Sequence, residues 1–108
     1  MLSGSAPAEL VDAVEAALSG FHPAGQRALF NAFAHADLRD VLPQIVVPTL
    51  LLYGDNDVRS PVGVAEDLHA EIATSRLVVM PGVGHLSNLE APERFNTEVR
   101  RFLRSLNP

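Results

Sequence analysis

The run Ile45-Val46-Val47-Pro48-Thr49-Leu50-Leu51-Leu52-Tyr53 is apolar almost without a break and is closed by Gly54-Asp55-Asn56-Asp57. A strand with one wet face alternates apolar and polar residues. A run without alternation implies a strand buried on both faces, as in a parallel sheet. Pro48 cannot donate a ladder hydrogen bond, so the strand is expected to start at about Thr49. A parallel neighbour must be reached by a crossover, and the next residues supply one. Ser60-Pro61 reads as an N-cap followed by a proline in the first helical position. Val64, Ala65, Leu68 and Ile72 form the core face of that helix, and Arg76-Leu77-Val78-Val79-Met80 is a second buried strand ended by Pro81-Gly82. Strand, helix and strand make a βαβ unit with a right-handed crossover expected.

The flanks of this unit read as helices. After the turn Gly82-Val83-Gly84-His85, a helix is expected over about Pro92 to Leu106, with Phe95, Val99, Phe102, Leu103 and Leu106 on one side. Glu93 lies in its first turn and Arg100, Arg101 and Arg104 lie late, which suits the helix dipole. Upstream, Leu10, Val11, Val14, Ala17 and Leu18 make the apolar stripe of a helix from Ala8 to Leu18, stopped at Gly20. A second helix starts at Pro23, with Leu29, Phe30, Phe33 and Ala34 as its buried face. A short third runs near Asp37 to Leu42 and stops at Pro43. The expected organisation is a helical segment over 1–42 followed by an α/β segment over 43–108, together one unit.

Composition limits the partners. Eight basic residues against thirteen acidic give a net charge of −5, with no basic stripe to neutralise phosphates, so nucleic-acid binding is not expected. No stretch is long and apolar enough to span a membrane. The first residues, Met1-Leu2-Ser3-Gly4-Ser5-Ala6-Pro7, lack the basic and apolar regions of a secretory leader, so a cytoplasmic location is expected. The absence of cysteine excludes disulfides, thiol catalysis and zinc-thiolate sites. His22, His35, His69 and His85 show no metal-ligand spacing, so no metal is expected. Gly82-x-Gly84 lacks the third glycine of a dinucleotide fingerprint, and no cofactor is expected.

The chemistry is expected where the two strands end. In an open parallel sheet, ligands bind beyond the carboxyl ends of the strands. Parallel neighbours deliver their exit loops to one edge. The first exit loop carries Asp55 and Asp57, and the second carries His85. A carboxylate accepting a hydrogen bond from imidazole Nδ1 sets the tautomer, and the other nitrogen is then free to take a proton from a nucleophile. Each residue also has a plainer reading, the aspartates as turn caps and the histidine as a polar loop residue. Ser87 reads as a helix-entry or loop hydrogen bonder, and Glu90 and Glu93 as helix-start charges.

Two segments carry a family resemblance. Ile45 through Asp57, followed by Pro61, resembles the acid-bearing segment of α/β-hydrolases. Met80-Pro81-Gly82-Val83-Gly84-His85, followed by Glu90-Ala91-Pro92-Glu93-Arg94-Phe95-Asn96, resembles their histidine segment and last helix. The family pattern G-x-x-D begins at Gly54, so the resemblance assigns the acid to Asp57 and not to Asp55, and the triad histidine to His85. It runs from about Asp37 to Leu106. The helices before Asp37 resemble the end of a mobile cap. The resemblance implies a partial α/β-hydrolase fold: a βαβ unit with two parallel strands and a C-terminal helix, preceded by cap-like helices.

The sequence departs severely from the family pattern, which also has several strands ahead of the acid-bearing one. It contains no G-x-S-x-G nucleophile elbow, and the oxyanion hole built around that elbow is missing with it. Three readings follow. The chain is a portion of a hydrolase carrying acid and base, as a truncated product or one chain of a processed enzyme. Alternatively it is a non-catalytic, homo-oligomeric or binding module derived from that fold, or a small folded domain without further function. By itself it is expected to lack hydrolase activity. Its apolar strand edge is expected to pair with another copy or with a separate N-terminal hydrolase half. A small-molecule substrate is expected only if the nucleophile is supplied.

Overall fold

Pro48 marks the boundary that the chain obeys. In the computed structural model, which describes residues 2–107, strand β1 spans Thr49–Gly54, and the Thr49 amide is its first donor, to the Thr74 carbonyl at 3.2 Å. Strand β2 spans Ser75–Met80 and pairs with β1 in parallel, with Thr49 opposite Ser75 and Gly54 opposite Met80. The two strands therefore finish level, at one edge. Helix α3, Val62–Glu71, makes the crossover and packs on both strands. A one-turn helix α4, Ser87–Glu90, leads into α5, Pro92–Ser105, which also packs on β1. Upstream lie α1, Ala8–Ser19, and α2, Pro23–His35, with Gly20 capping the first and the His22 ring accepting from the Gly25 amide at the start of the second.

Several local expectations are corrected. The helix expected over Asp37 to Leu42 does not form; a 3-10 turn spans Leu42–Gln44 instead, with Pro43 inside it. Asp37 turns its carboxylate onto the Arg39 amide and forks onto the Arg39 guanidinium, offering the backbone an alternative to a helical turn. Pro61, not Ser60, occupies the cap position of α3, and no side chain caps that helix. The Ser60 amide is engaged by Asp57.

Burial differs most from expectation. Among the described residues, the buried apolar side chains are Ala65, Ile72, Met80 and Val83. Ala65 lies on α3 and Ile72 at its C-cap before β2, while Met80 ends β2 and Val83 lies in the loop that carries His85. Leu50, Leu51 and Leu52 are only half-buried, because one crossover helix and α5 do not cover a strand completely. Val64 on α3 and Leu103 and Leu106 at the end of α5 are exposed. So are Leu29, Phe30 and Phe33, expected to form the buried face of α2; neither α1 nor α2 contains a buried residue. An apolar stripe records what a helix can bury and not whether a partner is there.

The global dimensions agree. The accessible surface is 7615 Å², against about 5,800 Å² for a folded monomer of this mass. The radius of gyration is 15.8 Å, against about 13 Å. Phe33, 66% exposed, gives a direct check. Phe33→Ala is expected to change stability in urea by less than about 0.5 kcal/mol, as at an ordinary surface position. A loss of about 3–5 kcal/mol, the cost of truncating a buried phenylalanine, would mean that association covers this face in solution.

Candidate active site

At the finishing edge of the sheet the backbone ties the two exit loops together before any side chain takes part. The Asp55 amide donates to the Met80 carbonyl at 3.1 Å, and the Asn56 amide to the Val83 carbonyl at 2.9 Å. Val83 is 1% exposed and acts as the plug between the loops. Gly54 permits this approach. A β-carbon there would lie 2.0 Å from the Val83 carbonyl oxygen and 2.7 Å from that of Gly84. At the bend, Gly82 adopts φ +72°, a left-handed conformation that glycine reaches without steric cost.

Asp57 and His85 meet on this frame. Asp57 Oδ2 and His85 Nδ1 are 2.8 Å apart. The Asp57 side chain is 4% exposed, the imidazole 36%. Asp57 Oδ1 accepts from the amides of Arg59 at 3.0 Å and Ser60 at 2.8 Å, so both carboxylate oxygens are satisfied. Burial pushes the Asp57 carboxyl up. The Ser60 amide, the adjoining His85 ring and the Arg59 amide together outweigh that, and the group stays below the usual aspartate range. An ionised carboxylate only accepts, so Nδ1 carries the shared proton. Among the described residues, the one side-chain hydrogen bond of His85 is this one, and it leaves Nε2 unengaged.

The other candidate residues fall elsewhere. Asp55 does not touch His85; its Oδ1 accepts from the Gly82 amide at 2.6 Å. Ser87 is buried at the start of α4 and makes no hydrogen bond to His85. His22 caps α2, the His35 ring lies 2.8 Å from the Asn31 carbonyl, and His69 pairs with Ser75. Glu90 is not merely a helix-start charge. Its Oε2 accepts from the Gly84 amide at 3.0 Å and the Ser3 amide at 3.1 Å, and its Oε1 takes the Ser3 hydroxyl. Burial raises the Glu90 carboxyl, but the Ser3 hydroxyl and amide and the Gly84 amide lower it further, to a net position below the usual glutamate range. No local pattern announces this role, since Ser3 lies 87 positions away. Among the described residues no three His, Cys, Asp or Glu side chains converge as a metal site. No helix among them is long and apolar enough to cross a membrane.

The two depressed carboxyls set the acid limit of the site. Asp57 and Glu90 bind protons less readily in the folded chain than in the unfolded one, so the unfolded state holds more protons in acid and stability drops as the pH is lowered. Their contribution is complete above the ordinary values of 3.8 and 4.5 and is lost as pH falls through the lower folded-state values. Urea denaturation between pH 7 and pH 3 is expected to show this loss, and Asp57→Asn is expected to flatten it. An unchanged acid slope in Asp57→Asn would contradict the assignment.

Comparisons with known proteins place the chain in a family. The profile of the alpha/beta hydrolase family matches residues 2–98. A pimeloyl-(acyl-carrier protein) methyl ester esterase of Nitrosomonas europaea is 38% identical over 73 residues, covering 68% of this chain and 29% of that enzyme. Among solved structures, a thermophilic esterase from Thermogutta terrifontis superposes with a TM-score of 0.64 at 39% identity, over 67% of this chain and 26% of that one. A bromoperoxidase from Bacillus anthracis gives a TM-score of 0.74 at 29% identity, over 80% and 32%. The chain thus spans about a third or less of the length of each of these relatives. With two parallel strands ending in an acid loop and a histidine loop, and with most of its length matched by the profile, the chain belongs to the alpha/beta hydrolase family.

Proposed function

We propose that Asp57 and His85 are the acid and base of a nucleophile-histidine-acid triad that hydrolyses an ester-like small molecule. The reading rests on one observation, the 2.8 Å contact of Asp57 Oδ2 with His85 Nδ1 at the common rim of two parallel strands, which leaves Nε2 unengaged. The esterase relatives from Nitrosomonas europaea and Thermogutta terrifontis favour an ester as substrate.

In this mechanism His85 Nε2 removes the proton from a nucleophilic hydroxyl as that oxygen attacks the ester carbonyl. The imidazolium is steadied by Asp57 and returns the proton to the departing alcohol. Nε2 then deprotonates a water that attacks the acyl-enzyme, the acid leaves, and the nucleophile regains its proton. The 108 residues contain no G-x-S-x-G elbow. The nucleophile and the oxyanion hole therefore belong to a segment outside them, which we take to lie along the unpaired edge of β1. The test is to combine the chain with a hydrolase segment that bears the elbow. Turnover of p-nitrophenyl acetate and labelling of the elbow serine by a fluorophosphonate are expected for the combination and not for the chain alone. Labelling of a serine within the 108 residues would overturn this division.

A second reading, a non-catalytic module that pairs with its own copy, is favoured by the exposed Leu29, Phe30 and Phe33. Sedimentation separates the two: a tight homodimer that excludes the complementing segment would support the second.

A further inference from the structure

We infer that Asp55 and Glu90 are positioning residues, a pair of carboxylates that clamp the loop carrying His85 by its Gly82 and Gly84 amides and so set the ring against Asp57. This deepens the proposed function and rests on it.

The loop from Pro81 to Gly84 has two glycines and no side chain of its own that could anchor His85, apart from the Val83 plug. Its alternate amides are held from two directions. Gly82 N–H donates to Asp55 Oδ1, on the acid loop, and Gly84 N–H donates to Glu90 Oε2, at the end of α4. Between them the Val83 carbonyl accepts from the Asn56 amide. Two of the peptide units before His85 are thereby fixed to the two neighbouring elements, Pro81–Gly82 through its N–H and Val83–Gly84 through both its carbonyl and its N–H. Hydrogen bonds to charged acceptors are worth more than neutral ones, and a glycine-rich loop without them has the most conformational freedom to lose. Glu90 is itself held by Ser3, so its carboxylate reaches Gly84 from a fixed place. The clamp thus places the imidazole where only Nδ1 can meet Asp57, leaving Nε2 free for a nucleophile.

The test is nuclear magnetic resonance of the 108-residue chain labelled with ¹⁵N, with His85→Ala identifying the His85 ring signals. In the parent chain the neutral ring is expected in its Nδ1–H form. In Asp55→Ala, Glu90→Ala and the double variant it is expected to move toward a mixture of tautomers, and the Gly82 and Gly84 amides to exchange about tenfold faster. Asp55→Asn and Glu90→Gln keep an acceptor oxygen and are expected to restore both. A purely structural role would alter protection across α3 and α5 together, and would not be rescued at the ring alone. An unchanged tautomer in the double alanine variant, while Asp57→Asn still shifts it, would overturn the clamp and leave the Asp57–His85 pair standing. A parent ring without the Nδ1–H form, indifferent to Asp57→Asn, would overturn the proposed function as well. Should the double variant fail to fold, the exposed Asp55 decides: an unaltered ring and unaltered Gly82 exchange in Asp55→Ala would refute the clamp.

Discussion

His85→Ala, made in the chain combined with its nucleophile-bearing segment, is expected to lower kcat for ester hydrolysis by about 10⁶, as loss of the base does in other serine hydrolases. The size follows from the role. Without Nε2, a serine hydroxyl at neutral pH must attack with its proton in place, and the leaving alcohol must depart without one. Asp57→Asn is expected to cost less, about 10⁴, because the base is retained while its tautomer and the support for the imidazolium are lost. The ranking depends on the observed contact: Asp57 acts only through His85 Nδ1, and its other oxygen is occupied by the Arg59 and Ser60 amides. Steady-state turnover of p-nitrophenyl acetate checks both. Rates within tenfold of the parent in His85→Ala would end the proposal.

Gly54→Ala is expected to destabilise the chain by about 3 kcal/mol, combining overpacking with loss of a buried hydrogen bond. The added carbon would sit 2.0 Å from the Val83 carbonyl oxygen and 2.5 Å from its carbon. Both are backbone atoms of a loop already tied at Asn56, so neither can swing aside as a side-chain end would. Relief requires the loop to lift, which withdraws Val83 from the core and carries His85 away from Asp57. Against a total stability of about 5–15 kcal/mol for an ordinary domain, the loss is large. In the combined enzyme a displacement of about 1 Å at the base costs about 10² in rate. Urea denaturation and turnover measure the two parts. A variant as stable as the parent would show that the loops do not approach as closely as described.

This glycine illustrates how the site could be read beforehand. The pattern G-x-x-D was legible, and it separated Asp57 from Asp55 two positions away. The reason for the glycine was not legible, because it lies in a carbonyl nearly thirty positions downstream. The start of β1 at Thr49 followed from Pro48, since a missing N–H is a local fact. The start of α5 at Pro92 is local in the same sense. The expectations that failed have two causes, a face without a partner and a local competitor. Leu29, Phe30 and Phe33 are apolar at helical spacing, yet among the described residues no partner buries them. The segment from Asp37 to Leu42 has a helical pattern, yet the Asp37–Arg39 fork competes with it successfully.

The sequence by itself determined the period of α1, α2, α3 and α5, the ends of the strands and the residue types delivered to their exit loops. These follow from backbone donors, proline and side-chain alternation, all of which act within a few residues. Only the tertiary structure decided which faces are covered, that Glu90 reaches across to Gly84 and Ser3, and that Val83 lies close enough over Gly54 to demand a glycine. Such outcomes depend on distances between segments far apart in the chain, and a hydrogen bond or a steric contact is made or lost within less than an ångström.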